Sequence, residues 1–314
     1  MSERPIVAAI LSALFFGLSA PLCKLLLKGL SPVVLAGFLY LGAFIALILY
    51  SSLRRLRTRK NAPESSGTID PPLDRSDWPW LAGAILAGGV VGPICLMVGL
   101  ARTMGFSASL LLNLEGAATA LIAVIVFHEH AERRLWLALG FMTLAGIFTA
   151  WDPGRSRFSP GGPLFILIAM ACWGLDNNLT RVISDKDPVE IAKMKGFLAG
   201  AASLGLAFFL GHKIPLDQRT VLALLLGAVG YGASLVLFIK ALQGLGAFRT
   251  GAFFSLAPFV GGVGSLIILR EKPDWFMLPA ALFMALGVGI IILEKHGHRH
   301  RHLKIVHDLS LIHI

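Results

Sequence analysis

Long stretches without a charged residue are the feature that most constrains this sequence. Each is close to the roughly 20 residues that a helix needs to cross a bilayer. A further stretch, 106–127, is interrupted by a single charge, that of Glu115. Backbone groups cannot hydrogen-bond to lipid, and no stretch alternates as a membrane β-barrel strand does, so helices are expected. The charge-free stretches are 5–23, 29–53, 78–101, 135–151, 158–175, 196–212, 221–239, 250–269 and 275–293.

With 106–127 included, the sequence predicts an all-α polytopic membrane protein with ten transmembrane helices, called spans 1 to 10 in chain order. Charged residues make up 15% of the chain, whereas soluble proteins carry about a quarter. This composition excludes a soluble enzyme, a secreted disulfide scaffold and a disordered protein. The three cysteines all lie in predicted spans and are expected to be apolar filler.

Basic residues predict the orientation. The largest cluster, 54–60, follows span 2, and the excess of Lys and Arg on one side places both termini in the cytoplasm. We therefore expect a multi-pass protein of the cell (inner) membrane. Basic loops that face anionic lipid headgroups account for the net charge of +10, so no nucleic-acid partner is expected.

The chain divides into two similar halves. Phe16-Gly17-Leu18 matches Trp173-Gly174-Leu175, and Lys24 matches Arg181 further along the same alignment. Five spans per half is an odd number, so the second copy must enter the membrane from the opposite side. Such inverted repeats are typical of alternating-access carriers. The predicted units are repeat 1 (5–151, with a flexible cytoplasmic loop at 54–77), repeat 2 (162–294) and a basic, His-rich cytoplasmic tail (295–314).

Two segments carry a family resemblance. Residues 109–116, with Asn113 and Glu115, and residues 249–258 resemble the EamA family of the drug/metabolite transporter (DMT) superfamily, and the likeness extends over 6–294. The resemblance implies a ten-helix carrier of small metabolites with cytoplasmic termini. It also implies a central cavity lined mainly by spans 1, 3, 4, 6, 8 and 9, with spans 5 and 10 peripheral.

Glu115 is the first candidate site residue, because a carboxylate near the bilayer centre must face protein or water. Its repeat counterpart is Ala257, so the scaffold itself does not require an acid there. We interpret Glu115 as a substrate-amine or proton site. The alternative is a buried acid that hydrogen-bonds to a neighbouring helix.

Asp176, Asn177 and Asn178 are the most polar run inside any predicted span. Consecutive helical residues point about 100° apart, so one or two of them can face one cavity. We predict Asp176 and Asn177 for the cavity, together with Asn113; interhelical hydrogen bonding is the alternative.

Three aromatic residues are predicted to form apolar walls of the cavity, with core packing as the alternative: Phe16, Trp173 and Tyr231. Lys24 and Arg181 are interpreted as anchors at the membrane interface. No phosphate loop, nucleophile elbow or metal-ligand cluster is apparent, so no cofactor, metal or catalytic residue is expected.

These features predict a secondary transporter that exports a small metabolite, such as an amino acid or related solute, and is not an enzyme. The expected partners are the substrate, membrane lipid and a proton as coupling ion, in a monomer or homodimer. The alternative hypothesis is a polytopic membrane enzyme or scaffold that acts on a lipid-linked substrate.

Overall fold

The protein is almost entirely helical in the computed structural model. The described residues form one sheet, a pair of two-residue antiparallel strands, β1 (Trp151–Asp152) and β2 (Arg157–Phe158), between the two halves of the chain. Residues 62–72 of the loop at 54–77 and all of the tail at 295–314 lie outside the described residues. The structure describes residues 3–61, 73–128, 133–152, 157–158, 161–184, 186–245, 247–272, 274–275 and 277–292.

The described residues of the first half form seven helices and one π-helical segment. The π segment (Ile85–Val91) joins α3 to α4 without a break, so these three pieces form one continuous helix. The α4–α5 turn follows, because Thr103 takes an extended conformation that ends α4. The helices are α1 (Glu3–Leu26), α2 (Pro32–Asn61), α3 (Trp78–Ala84), α4 (Gly92–Arg102), α5 (Gly105–Leu111), α6 (Leu114–Ile125) and α7 (Arg133–Ala150).

The second half repeats this order. A second π segment (Gly227–Ala233) again joins two helices into one, at nearly the same place in the repeat as the first. Asp187 caps the start of α9 by accepting a hydrogen bond from the Val189 amide. The helices are α8 (Gly161–Val182), α9 (Pro188–Phe209), α10 (Gln218–Leu226), α11 (Ser234–Leu245), α12 (Ala247–Phe254), α13 (Ala257–Ile268) and α14 (Met277–Ile292).

Among the described residues, six continuous helices are long and apolar enough to cross a membrane. α8 has comparable length, at 22 residues, but carries the polar run 176–178. Three shorter apolar helices lie in α7, α13 and α14. The chain is therefore a multi-pass membrane protein. The six helices are Arg4–Leu26, Pro32–Leu53, Trp78–Arg102, Gly105–Ile125, Pro188–Phe209 and Gln218–Leu245.

The two halves pack against each other reciprocally. α1 packs on α11 and α13 of the second half, and α8 packs on α4 and α6 of the first half. α2 packs against α9, and α7 packs against α14. Each half therefore inserts its first helix between the third and fourth helical units of the other half, and the last helices, α7 and α14, form a separate pair.

The repeated Phe-Gly and Trp-Gly pairs have a packing explanation. A Cβ atom added at Gly17 would lie 2.3 Å from the Ala257 carbonyl oxygen, and one added at Gly174 would lie 2.8 Å from the backbone of Ala118. Glycine at these two positions lets α1 approach the start of α13 and lets α8 approach α6. The matched residues of the two repeats thus make matched contacts.

Candidate functional site

A cavity of about 690 Å³ opens between the two halves. Its wall is largely apolar and aromatic, with a small number of charged and amide groups, which is the usual composition of a small-molecule site. The exposed residues Arg181 and Ser184, which follow one another closely at the end of α8, line its mouth. Its lining includes Phe16, Tyr40, Glu115, Trp173, Asp176, Asn177, Thr180, Arg181, Ser184, Lys195, Tyr231, Phe238 and Phe254.

Glu115 lies in the first turn of α6 and is half-buried. Its carboxylate oxygen Oε1 accepts a hydrogen bond of 3.0 Å from Asn177 Nδ2. The same amide nitrogen also donates to Thr119 Oγ1 at 3.1 Å, so α6 and α8 fix its direction. Within the described part of the chain, no Lys, Arg or His forms a salt bridge with Glu115.

Asp176, one residue before Asn177, has a very different environment. Lys195 Nζ of α9 lies 2.5 Å from its Oδ1 and 2.7 Å from its Oδ2, and Thr180 Oγ1 donates to Oδ1 at 2.9 Å. The carboxylate of Asp176 is therefore neutralised within the wall, whereas that of Glu115 is not.

The first π segment supports this wall through one carbonyl group. The Gly88 carbonyl oxygen accepts hydrogen bonds from Tyr40 Oη at 2.7 Å and from Trp173 Nε1 at 2.9 Å. A Cβ atom at position 88 would lie 2.0 Å from Asp176 Oδ2, so only glycine fits behind the carboxylate. Single π turns within α-helices are frequent at functional sites.

An aromatic cluster forms another part of the wall. The ring of Phe16 lies 5.8 Å from that of Tyr231, in an edge-on arrangement, and 5.3 Å from that of Phe254. The Tyr40 ring lies 6.2 Å from that of Tyr231, and the Phe238 ring 4.9 Å from that of Phe254. These spacings are typical of favourable aromatic pairs. The cluster presents ring faces and edges that can contact an apolar or cationic group.

The structure brings most of the sequence-predicted site residues together. Asn113 is the exception: it is absent from the cavity lining, and its buried Nδ2 has no hydrogen-bond partner among the described residues. Asn178 points away and donates to the Thr119 and Gly174 carbonyls. The candidates found in the lining are Phe16, Glu115, Trp173, Asp176, Asn177 and Tyr231.

Sequence reasoning missed the contributions of α2 and α9. Tyr40 from α2 (span 2) and Lys195 from α9 (span 7) both line the cavity. The resemblance implied spans 1, 3, 4, 6, 8 and 9, and so left out both of these helices. Span 3 does not line the cavity, but its Gly88 carbonyl supports the wall from behind. Lys195 had one signal in the sequence: it lies about as far after the α8–α9 turn as Asp176 lies before it, so an antiparallel hairpin places the two side by side.

No metal site is evident in the part of the chain that the structure describes, where no three His, Cys, Asp or Glu side chains converge. The alternating histidines of the tail and His130 lie outside that part. The polar groups of the lining include the Glu115 carboxylate, the Asp176–Lys195 ion pair and the Asn177 amide, beside aromatic rings. Such a set can bind and orient a small solute.

Comparisons with known proteins agree with this description. An uncharacterized transporter of Methanothermobacter thermautotrophicus is 27% identical over 294 residues, which cover 91% of this chain and 85% of that protein. An uncharacterized protein of Pseudomonas aeruginosa is 26% identical over 297 residues, or 94% and 96% of the two chains. A protein of known crystal structure, 16% identical, matches with a TM-score of 0.63 over 93% of this chain and 99% of its own, which indicates a shared fold.

The family model for EamA-like transporters matches residues 4–151 and 160–293. The two matches fall on either side of the boundary between α7 and α8 and together cover nearly the whole chain. The likeness noted at 109–116 and 249–258 is thus part of a match across both halves. The chain is a membrane transporter of the EamA-like transporter family.

Proposed function

We propose that the protein is a secondary transporter that exports a small metabolite, such as an amino acid or related solute, across the cytoplasmic membrane by alternating access. Ten membrane-crossing helices would form two inverted five-helix repeats, 5–151 and 162–294. The reciprocal packing of α1 and α8 against the opposite halves supports this arrangement. Transport rather than catalysis is favoured because the matching family is one of transporters and the Methanothermobacter relative is named as a transporter.

The observation that carries the proposal is the contrast between two carboxylates in one cavity. Asp176 is paired with Lys195, whereas Glu115 accepts a hydrogen bond from Asn177 and has no salt bridge to a described residue. A carboxylate far from both membrane surfaces is costly unless a counter-charge or a proton reaches it. Glu115 therefore binds the amine of the substrate or a coupling proton.

The other cavity residues would then orient the substrate. Asn177 fixes the direction of the Glu115 carboxylate and offers its own amide oxygen. Phe16, Trp173 and Tyr231 form the apolar walls, and the ring faces of Phe16 and Tyr231 suit a cationic group. Asn113 is not part of the cavity lining and would influence the site indirectly, through the turn between α5 and α6.

An open mouth on the cytoplasmic side would suit export. The predicted orientation places the α8–α9 turn in the cytoplasm, so the mouth at Arg181 and Ser184 would face the cell interior. Both termini would then be cytoplasmic. In this state the carrier is ready to load a cytoplasmic solute for export.

Counterflow tests the proposal. Purified protein in liposomes loaded with one unlabelled solute should accumulate the same labelled solute from outside, when amino acids, other small metabolites and organic cations are screened one by one. Mass spectrometry of the recovered solute should show it unchanged. A chemically modified product would instead support the enzyme hypothesis, and no counterflow with any of these classes would contradict the proposed substrate range.

A further inference from the structure

The end of the molecule opposite the mouth is closed by two charged side chains that converge on the α4–α5 turn. Lys24 Nζ donates to the Leu100 carbonyl at 2.9 Å and also to the Thr103 carbonyl. Glu271 accepts from the amides of Gly105 and Phe106, at 2.6 and 3.0 Å. One cation and one anion thus hold the two sides of the same turn.

The charges match the helix ends that they contact. The last carbonyls of α4 lack intrahelical partners and carry partial negative charge, and the first amides of α5 carry partial positive charge. Lys24 and Glu271 satisfy these groups with charge-assisted hydrogen bonds, which are about twice as strong as neutral ones. Lys24 belongs to α1 in the first half, and Glu271 follows α13 in the second half. The turn is therefore tied to both halves.

This turn lies far from the mouth. The start of α8 is beside it, since a Cβ atom at Gly162 would lie 1.8 Å from Thr103 Oγ1. α8 runs from there to Arg181 at the mouth, so the helix spans the distance between the two ends. At the closed end Thr103 and Leu30 are both buried.

The repeat places the counterpart of Lys24 at the mouth. Arg181 is the counterpart of Lys24, and the α11–α12 turn is the counterpart of the α4–α5 turn. α11 ends at the mouth side, because Gly244 contacts Pro5 at the start of α1. Phe238 of α11 lines the cavity, as Arg181 of α8 does. In this structure the Arg181 guanidinium lies 6.0 Å from the ring of Phe127.

We propose that Lys24 and Glu271 form a latch that keeps the far end shut while the mouth is open. When the carrier changes state this latch releases. The inference rests on the alternating access of the proposed function. It assigns the latch to residues outside the cavity lining.

Cysteine labelling tests the latch without any transported solute. Cys23, next to Lys24, is fully buried at the closed end and reports its opening. Ser184→Cys reports the mouth. Cys95 and Cys172, both half-buried, are replaced by Ala in every protein. Labelling rates with a polar maleimide are measured on the purified protein in detergent.

Glu271→Gln should raise Cys23 labelling about tenfold, the ratio that losing one charge-assisted hydrogen bond produces in a two-state equilibrium. The same variant should slow labelling of the Ser184→Cys reporter. Lys24→Met is a second variant with the same expectation. Lys28→Met, which removes an exposed cation one turn from Lys24, is the matched control and should change neither reporter.

Opposite changes at the two reporters support the latch. Unchanged rates in both Glu271→Gln and Lys24→Met would overturn it, and so would a joint rise of both reporters, which would indicate general loosening. Because no solute is used, a failure here leaves the counterflow result unaffected. Conversely, a protein that shows opposite changes but no counterflow would contradict the proposed substrate range and leave the latch in place.

Discussion

Asp176 and Lys195 face each other across the hairpin of α8 and α9, with Lys195 Nζ within 2.7 Å of both carboxylate oxygens. The two side chains are 9% and 18% exposed. Removing one partner of such a pair leaves an uncompensated charge in a low-dielectric wall. Asp176 is therefore held in place by its ion pair with Lys195. Glu115 has no such ion pair among the described residues, so its carboxylate can take up a cation or a proton.

The first prediction concerns this pair. Lys195→Met should destabilise the folded protein by about 3 kcal/mol, because it leaves the Asp176 charge without its counter-ion. Unfolding titrations in mixed detergent micelles measure the loss. The double change Asp176→Asn with Lys195→Met removes both charges and should recover most of it. A single variant as stable as the parent would show that the pair contributes little.

Lys195 also shows why sequence alone predicted only part of the site. The charge-free stretch begins at Gly196, so counting uncharged residues left Lys195 outside the predicted span. In the structure α9 begins at Pro188, and Lys195 lies two turns inside the helix. Its charge is tolerated there because Asp176 of the neighbouring helix neutralises it. Counting the charges along one segment cannot show that a charge is neutralised by a residue of another segment.

The second prediction concerns Gly88. Gly88→Ala should cost about 1–3 kcal/mol, because its Cβ would lie 2.0 Å from Asp176 Oδ2 and force the carboxylate or the π segment to move. Gly205→Ala in α9 is the matched control. Nothing lies within 4 Å of a Cβ atom there, so the change should be neutral or slightly stabilising. Equal stability of the two variants, measured by unfolding in micelles, would contradict the close approach.

The third prediction concerns the two donors to the Gly88 carbonyl. Tyr40→Phe and Trp173→Phe each remove one hydrogen bond and leave the other. Each single change should lose about 1 kcal/mol from this contact, whereas the double change leaves a buried carbonyl unsatisfied and should cost more than the sum. A double-mutant cycle of unfolding free energies measures the difference. Strict additivity would show that the donors act independently.

The fourth prediction concerns Asp74, which lies outside the membrane before α3. Hydrogen bonds from the Ser76 hydroxyl and amide lower the pKa of the Asp74 carboxyl, and Lys186 adds to the effect. A lowered folded pKa means that the stabilisation is complete above about pH 4, the ordinary value for Asp, and is lost as pH falls through the folded pKa.

Ser76→Ala should therefore reduce stability at neutral pH, and its difference from the parent should shrink as the pH falls below the folded pKa. Thermal unfolding in detergent across a pH series measures this difference. Lys213→Met removes an exposed cation beyond the opposite end of α9 and serves as the control. The difference in stability between this variant and the parent should not change with pH in this acidic range. A Ser76→Ala difference that grows with acidification would contradict the assignment.

The membrane-spanning nature of the chain could be predicted from sequence, and so could six of the cavity-lining residues, because a lone carboxylate, a polar run and central aromatic residues are conspicuous in apolar helices. The π segments could not. Gly88 and Tyr231 belong to ordinary apolar stretches, and nothing in their neighbours marks a change from α to π geometry. The role of Gly88 depends on contacts with Tyr40, Trp173 and Asp176, which only the packed helices bring together.

Exchange by the Glu115→Gln variant tests the central claim most directly. With a solute identified by counterflow, the parent should exchange at a rate that depends on pH, and Glu115→Gln should abolish that pH-dependent exchange while remaining folded in detergent. Glu190→Gln, the same chemical change at an acid outside the cavity lining, should behave as the parent does. If Glu115→Gln exchanges the solute at the parental rate with the parental pH dependence, Glu115 does not carry the substrate or the proton.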